Sequence, residues 1–224
     1  MSKDINKNLP TIAILGGTGK IGPGLAMRWA KAGFPIIIGS RQESKAQKTA
    51  ESLKQKLDLE NIVGMENKFA ARKADICVLT VESSAHQSAI ESLREDLQGK
   101  ILVDTTARVD FRNPKPPSPP SAVRLAQQKL GEDVRVVAAF QNVPANVLKE
   151  DLDYPVDMDV LVCSDNIQAA ATVVQLSRMA GVRAYYAGDL DNALVVEGLT
   201  ALLIHLNKHY GGHTAIRVTG IDKD

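Results

Sequence analysis

The stretch Gly16–Gly33, GGTGKIGPGLAMRWAKAG, decides the fold of this chain. It follows Thr11–Leu15 (TIAIL), a short apolar run bounded by Pro10 and by glycines, which reads as a buried strand. Inside the stretch, Gly17-Thr18-Gly19-Lys20-Ile21-Gly22 fits G-x-G-x-x-G. Ile21, Leu25 and Trp29 then step along one helical face until Gly33 stops the helix. Pro23 falls in the first turn, where a missing N–H costs little. A glycine turn between strand and helix, in the first such unit of a chain, is built to cradle a pyrophosphate. The first glycine permits the tight turn, the second lets phosphate approach the backbone, and the third packs helix on strand. Unpaired N–H groups at the helix start, aided by the helix dipole, face the phosphates. Gly17, Thr18, Gly19, Lys20, Ile21 and Gly22 are therefore the expected dinucleotide cradle.

The second strand says which dinucleotide. Pro35–Lys45 reads PIIIGSRQESK, a buried strand ending in Gly-Ser-Arg. A carboxylate at this strand end would accept hydrogen bonds from a free ribose 2′-hydroxyl and repel a 2′-phosphate. This chain instead has the Ser40 hydroxyl and the planar cationic fork of Arg41, with Lys45 four residues on. The combination predicts NADP(H) rather than NAD(H).

Further along, short apolar runs alternate with helical ones. ESKAQKTAESLKQKL is a polar helix, NIVGM a weak strand, NKFAARKA a short helix and DICVLTV a strong strand. SSAHQSAIESLRED is a helix with Ser84 as its expected N-cap; KILVDTT, the helix SAVRLAQQKLG and the strand VRVVAAF follow. Such alternation predicts an α/β fold, a Rossmann-type doubly wound parallel sheet. Five prolines within Pro114–Pro120 interrupt the rhythm as a stiff connection or a wall of the site. A boundary is expected at Pro144, dividing a nucleotide-binding domain (1–144) from a small C-terminal lobe (145–224). That lobe reads strand VLVCSD, helix NIQAAATVVQLSRMAG, strand VRAYYAG and the long apolar helix NALVVEGLTALLIHLNKHY. A helix this apolar needs cover on several sides, including a second subunit.

Composition narrows the partners. With 27 basic and 26 acidic residues among 224, the net charge of +1 gives no general attraction to nucleic acid or to an anionic membrane. No apolar run approaches the roughly 18 residues of a spanning helix. The polar opening MSKDINKNLP reads as a disordered lead-in without an export core. Cys77 and Cys163 sit inside apolar strands as buried thiols, which suits a cytoplasmic setting.

The run AILGGTGKIGPGLAMRWAKAGFPIIIGSRQESKA resembles the NADPH-dependent reductases of the deazaflavin coenzyme F420. The likeness continues through ADICVLTV, KILVDTT, VVAAFQNVPA and DVLVCSD to VEGLTALLIHL, nearly the whole chain. It implies a homodimer that exchanges hydride between NADP(H) and F420. By position, Thr18, Gly19, Ile21, Ser40, Arg41 and Lys45 would hold NADP, with Thr80 and Val81 beside the nicotinamide. Gln141, Val143 and Pro144, with Glu197 and Thr200 of the last helix, would border the deazaflavin. Gln141 departs from the His or Asn of the family pattern, and VESSAH after Thr80 lacks its proline. The same frame also serves another acceptor (flavin, ferric chelate or small imine) or a non-catalytic NADP-binding redox sensor.

Hydride transfer asks for positioning rather than a protein nucleophile, so no catalytic side chain is expected. Arg108, Arg112, Lys115 and Arg124 are candidates for a basic rim toward the anionic tail of the deazaflavin. His205, His209 and His213 read as helix-end histidines without a metal, and His86 as a residue on an exposed helix start.

Overall fold

The computed structural model describes residues 9–221, so the first eight residues of the polar lead-in lie outside it. Six strands, β1 (Ile12–Leu15), β2 (Ile36–Ser40), β3 (Ile62–Glu66), β4 (Ile76–Leu79), β5 (Ile101–Asp104) and β6 (Arg135–Ala138), form one parallel sheet in the order β3-β2-β1-β4-β5-β6. Every pairing is parallel, as in Ile12↔Ile36 and Ile12↔Ile76 on the two sides of β1. The central strands β1, β2 and β4 are buried on both faces because helices cover both faces. Ile12 and Ile14 point into the core beneath α1 (Gly22–Lys31) and α2 (Glu43–Leu57). Ala13 and Leu15 point into a second core beneath α3 (Asn67–Lys73), α4 (Ser83–Leu93) and α5 (Ala122–Leu130).

The remaining elements are β7 (Val156–Val162), α6 (Ile167–Met179), β8 (Val182–Tyr186) and α7 (Ala193–Tyr210). β7 and β8 form a parallel pair, and the Ala138–Cys163 bridge joins them antiparallel to the end of β6. The first core runs on into this unit through Met158, Val160, Val173 and Leu176. Two side chains of α1 fasten the seam. The buried Trp29 donates its indole N–H to Leu176 O at 2.9 Å. Arg28 donates to the carbonyls of Val147, Leu148, Glu150, Tyr154 and Ala180. Burial lowers the Arg28 pKa, opposed by the charge of Asp151.

Local expectations fare unevenly. The polar helix spans Glu43–Leu57 as read, and Gly131 closes α5 with φ +81°. Ser121 caps α5 by accepting from Arg124 N. The Ser84 cap is a correction: α4 begins at Ser83 with Glu82 at the cap and no side-chain hydrogen bond there. β7 starts at Val156, ahead of the apolar run that marks it, because Asp157 faces out while the buried Asp159 is paired with Arg183.

Candidate active site

The strand order reverses between β1 and β4, and the glycine loop stands at the C-terminal ends of both. Open α/β sheets bind ligands at such a switch point. The turn itself belongs to Gly16, with φ +72°, rather than to the first motif glycine as the sequence suggests. A Cβ on Gly16 would lie 2.6 Å from Val81 Cγ1, so the loop rests directly on the residue after β4. Gly17 is needed for closeness: its Cβ would fall 2.6 Å from Ile14 O, and its N–H donates to Ile14 O and Gly39 O. A Cβ on Gly22 would meet Gly17 Cα at 2.7 Å, so the start of α1 packs directly on the glycine loop.

The phosphate cradle is chemically open. Among the described residues, the backbone amides of Thr18, Lys20 and Ile21 donate to no protein group. A Cβ on Gly19 would meet nothing closer than 3.5 Å, and Gly19 and Lys20 are exposed. Free amides at a helix start beside an accessible glycine fit a pyrophosphate. At the end of β2, Ser40 is buried and accepts from Gln42 N at 3.3 Å, while Arg41 and Lys45 beyond it are exposed. Among the described residues neither cation has an ion-pair partner, which fits the 2′-phosphate expected there.

On the far side of the loop, Thr80 is pinned to Leu15 O through both its amide (2.9 Å) and its hydroxyl (3.1 Å), and half-buried Val81 follows. The acceptor-side residues are gathered by the β6–β7 connection and α7. Thr200 donates from Oγ1 to Gln141 O at 2.8 Å, and Gln141 donates its amide to Asp104 O at 2.9 Å. Val143 is buried and Pro144 half-buried beside them. Phe140, just before Gln141, holds φ +69°, a strained backbone for a bulky residue. Its ring meets Trp29 edge to face at 5.8 Å. Among the described residues the buried atoms Gln141 Oε1 and Thr106 Oγ1 have no protein partner. Unpaired buried polar atoms are costly, and a polar ligand seated here would satisfy these two.

Glu197 stands apart from this surface. It is fully buried: Oε1 accepts from Ala122 N at 2.7 Å, and Oε2 from Arg108 Nε at 3.2 Å and Arg108 N at 3.3 Å. Burial raises its pKa despite these donors. Arg108 also donates to Ser118 O and Pro120 O, so it ties down the proline-rich loop. His205 bonds Pro114 O at 2.8 Å and Lys208 donates to Arg112 O at 2.9 Å, clasping the same loop from α7. Arg124 is engaged by Asp165 and Asp191, which leaves the exposed Arg112 and Lys115 as the freer cations of the expected rim.

His86 is a correction. It is not at an exposed helix start but buried, with Nε2 2.6 Å from Asp104 Oδ2. Its partner lies in a strand, β5, out of reach of local pattern. The available signal was Asp104 itself, a carboxylate inside the apolar strand ILVD that must find a partner if buried.

A doubly wound sheet with an open glycine loop at its switch point defines a dinucleotide-binding protein of the Rossmann class. Comparison with known proteins makes this specific. Residues 11–108 match the family model described as NADP oxidoreductase, coenzyme F420-dependent. The F420-dependent NADP reductase of Methanocaldococcus jannaschii is 42% identical over 228 residues, covering 94% of this chain and 99% of that protein. That of Methanothermobacter thermautotrophicus is 38% identical, covering 94% and 95%. A crystal structure of a candidate F420-dependent NADP reductase from Arthrobacter sp. FB24 superposes with a TM-score of 0.77 at 25% identity, covering 94% of this chain and all of that one. The chain belongs to the F420-dependent NADP reductase family.

Proposed function

We infer that the protein is an oxidoreductase transferring hydride between NADP(H) and coenzyme F420. The reading is carried by one juxtaposition: the free amides of Thr18, Lys20 and Ile21 share a sheet edge with Ser40 and Arg41, in a chain that resembles these reductases over 94% of its length. When bound, the nicotinamide and the deazaflavin supply the hydride chemistry themselves.

The protein's part is to hold and orient. Gly17, Gly19 and Gly22 let the backbone close on the pyrophosphate, and the amides of Thr18, Lys20 and Ile21 donate to it. Ser40, Arg41 and Lys45 take the 2′-phosphate. Thr80 and Val81, fixed against Leu15 and Gly16, flank the nicotinamide. Gln141, Val143, Pro144 and Thr200 border the acceptor, and Glu197 supports that border by holding Arg108 and the start of α5. No side chain acts as a nucleophile or carries a covalent intermediate.

The lobe 145–224 closes the acceptor side and carries the dimer contact. Val195 and Leu202 of α7 are 65% and 54% exposed, and they share a stripe with the half-buried Leu199 and Leu206. An apolar stripe of this kind fits a second copy of the chain, and light scattering should return the mass of a dimer. Among the described residues no helix is long and apolar enough to cross a membrane. The two buried free thiols suit the cytoplasm, which cell fractionation would check.

An anaerobic assay with NADPH and purified F420, following loss of deazaflavin absorbance with FMN as control, tests the activity. Tight NADPH binding without deazaflavin turnover would refute it.

A further inference from the structure

His86 enters the second core from α4, and neither it nor Asp104 meets bulk water: their side chains are 6% and 0% exposed. Asp104 ends β5, and each of its acceptors is engaged. Oδ2 meets His86 at 2.6 Å, Oδ1 accepts from Thr106 N at 3.0 Å, and the backbone carbonyl accepts from the Gln141 amide at 2.9 Å. Gln141 O accepts in turn from Thr200 Oγ1 at 2.8 Å. A continuous line of hydrogen bonds thus runs from α4 through the end of β5 and the β6–β7 connection to α7.

Hydride transfer does not use an ion pair at this depth, and burying one is costly unless it fixes an arrangement. Here the arrangement is the floor of the acceptor border. With its carboxylate held on both oxygens, Asp104 fixes the turn to Thr106 and presents its carbonyl to Gln141. The Gln141 side chain thereby spends its N–H on Asp104 and keeps Oε1 unpaired. We propose that His86 is a positioning residue for the acceptor half of the site, acting through Asp104 on Gln141 and Thr106; this rests on the assignment of Gln141 to the acceptor border.

The charges facing His86 are Asp104 from β5, Glu197 from α7 and Arg108 from the segment after β5. Lys129 of α5 lines the same cleft between α4 and α5. Burial alone pulls the imidazole pKa down. The Asp104 hydrogen bond and charge, with the charge of Glu197, outweigh burial and the opposing Arg108, leaving it above its ordinary value. The charged imidazole therefore persists to a higher pH than a free one, and its grip on Asp104 weakens as pH rises through that raised value.

Three proteins decide the matter: wild type, His86→Leu, and His86→Gln, which keeps a side-chain N–H donor without a titration. Steady-state rates with NADPH and F420 across about pH 6 to 9.5 should show the acceptor KM of His86→Leu raised about tenfold at neutral pH, from loss of a hydrogen bond to a charged group. The dissociation constant for NADPH stays within about twofold, reporting an intact fold. His86→Gln recovers most of the lost acceptor affinity and flattens the alkaline rise in KM expected of wild type. Hydrogen exchange of the peptide covering Phe140–Pro144, measured with NADPH bound, is faster in His86→Leu than in wild type. A wild-type acceptor KM and pH profile in His86→Leu would overturn the proposal. If wild type binds NADPH but never reduces F420, the acceptor reading itself is wrong, and the exchange comparison alone decides whether His86 positions Gln141. Unchanged exchange then rejects it.

Discussion

Oε2 of Glu197 lies 3.2 Å from Nε of Arg108, a pair in which the carboxylate is wholly buried and the guanidinium is 30% exposed. Through it α7, the start of α5 and the proline-rich loop are held together, since Arg108 also grips Ser118 O and Pro120 O. Glu197→Gln leaves an acceptor for Ala122 N but turns an amide donor toward the guanidinium. We expect a loss of about 2 kcal/mol in urea unfolding. A higher KM for F420 should accompany it as the loop loses its mooring. Unchanged stability would mean that Arg108 finds other acceptors.

The glycine loop separates folding from binding. Gly19→Ala has room for its methyl, with no atom nearer than 3.5 Å, so stability should change by no more than about 1 kcal/mol while NADPH affinity falls steeply. Gly22→Ala drives its methyl into Gly17 Cα at 2.7 Å, a backbone contact that cannot rotate away. It should cost about 1–3 kcal/mol of stability as well as affinity. Thermal melts with and without NADPH distinguish the two variants; equal melting temperatures without nucleotide would contradict this account.

Arg41→Ala tests nucleotide choice. Loss of a charge-assisted contact should raise the KM for NADPH roughly tenfold or more, with NADH changed by less than about threefold. Equal losses for both nucleotides would show that Arg41 does not read the 2′-phosphate.

The His86–Asp104 pair makes stability depend on pH in a definite direction. The His86 pKa stands above its ordinary value of 6.5, so the native state binds that proton more tightly than the unfolded chain does. Its contribution is complete below 6.5 and is lost as pH rises through the elevated native value. Comparing wild type with His86→Leu by urea unfolding, the gap should be widest at about pH 6 and narrow toward about pH 9. A gap that is constant, or that widens with pH, contradicts the assignment.

Most of the sheet was legible because its signals are local. The strand-glycine-helix unit, the stop at Gly131 and the helix Glu43–Leu57 all show in contiguous residues. The misses are long-range. Asp157 and Asp159 disguise the start of β7, and what admits Asp159 to the interior is Arg183 together with Val218 N in the tail. His86 resembled any polar residue near a helix start, since its partner lies 18 positions away in a strand. The nucleotide half of the site is local in the same sense. The proposed acceptor border draws on β5, the β6–β7 connection and α7, and only the fold brings these together.

The seam made by Arg28 and Trp29 carries a consequence for biosynthesis. The groups they bind lie up to 152 positions downstream, so α1 leaves the ribosome long before Leu176 and Ala180 exist. Until they emerge, the indole and guanidinium of the nascent chain have only water to satisfy them. The helix beneath the glycine loop is thus finished by groups 119 to 152 positions downstream of it.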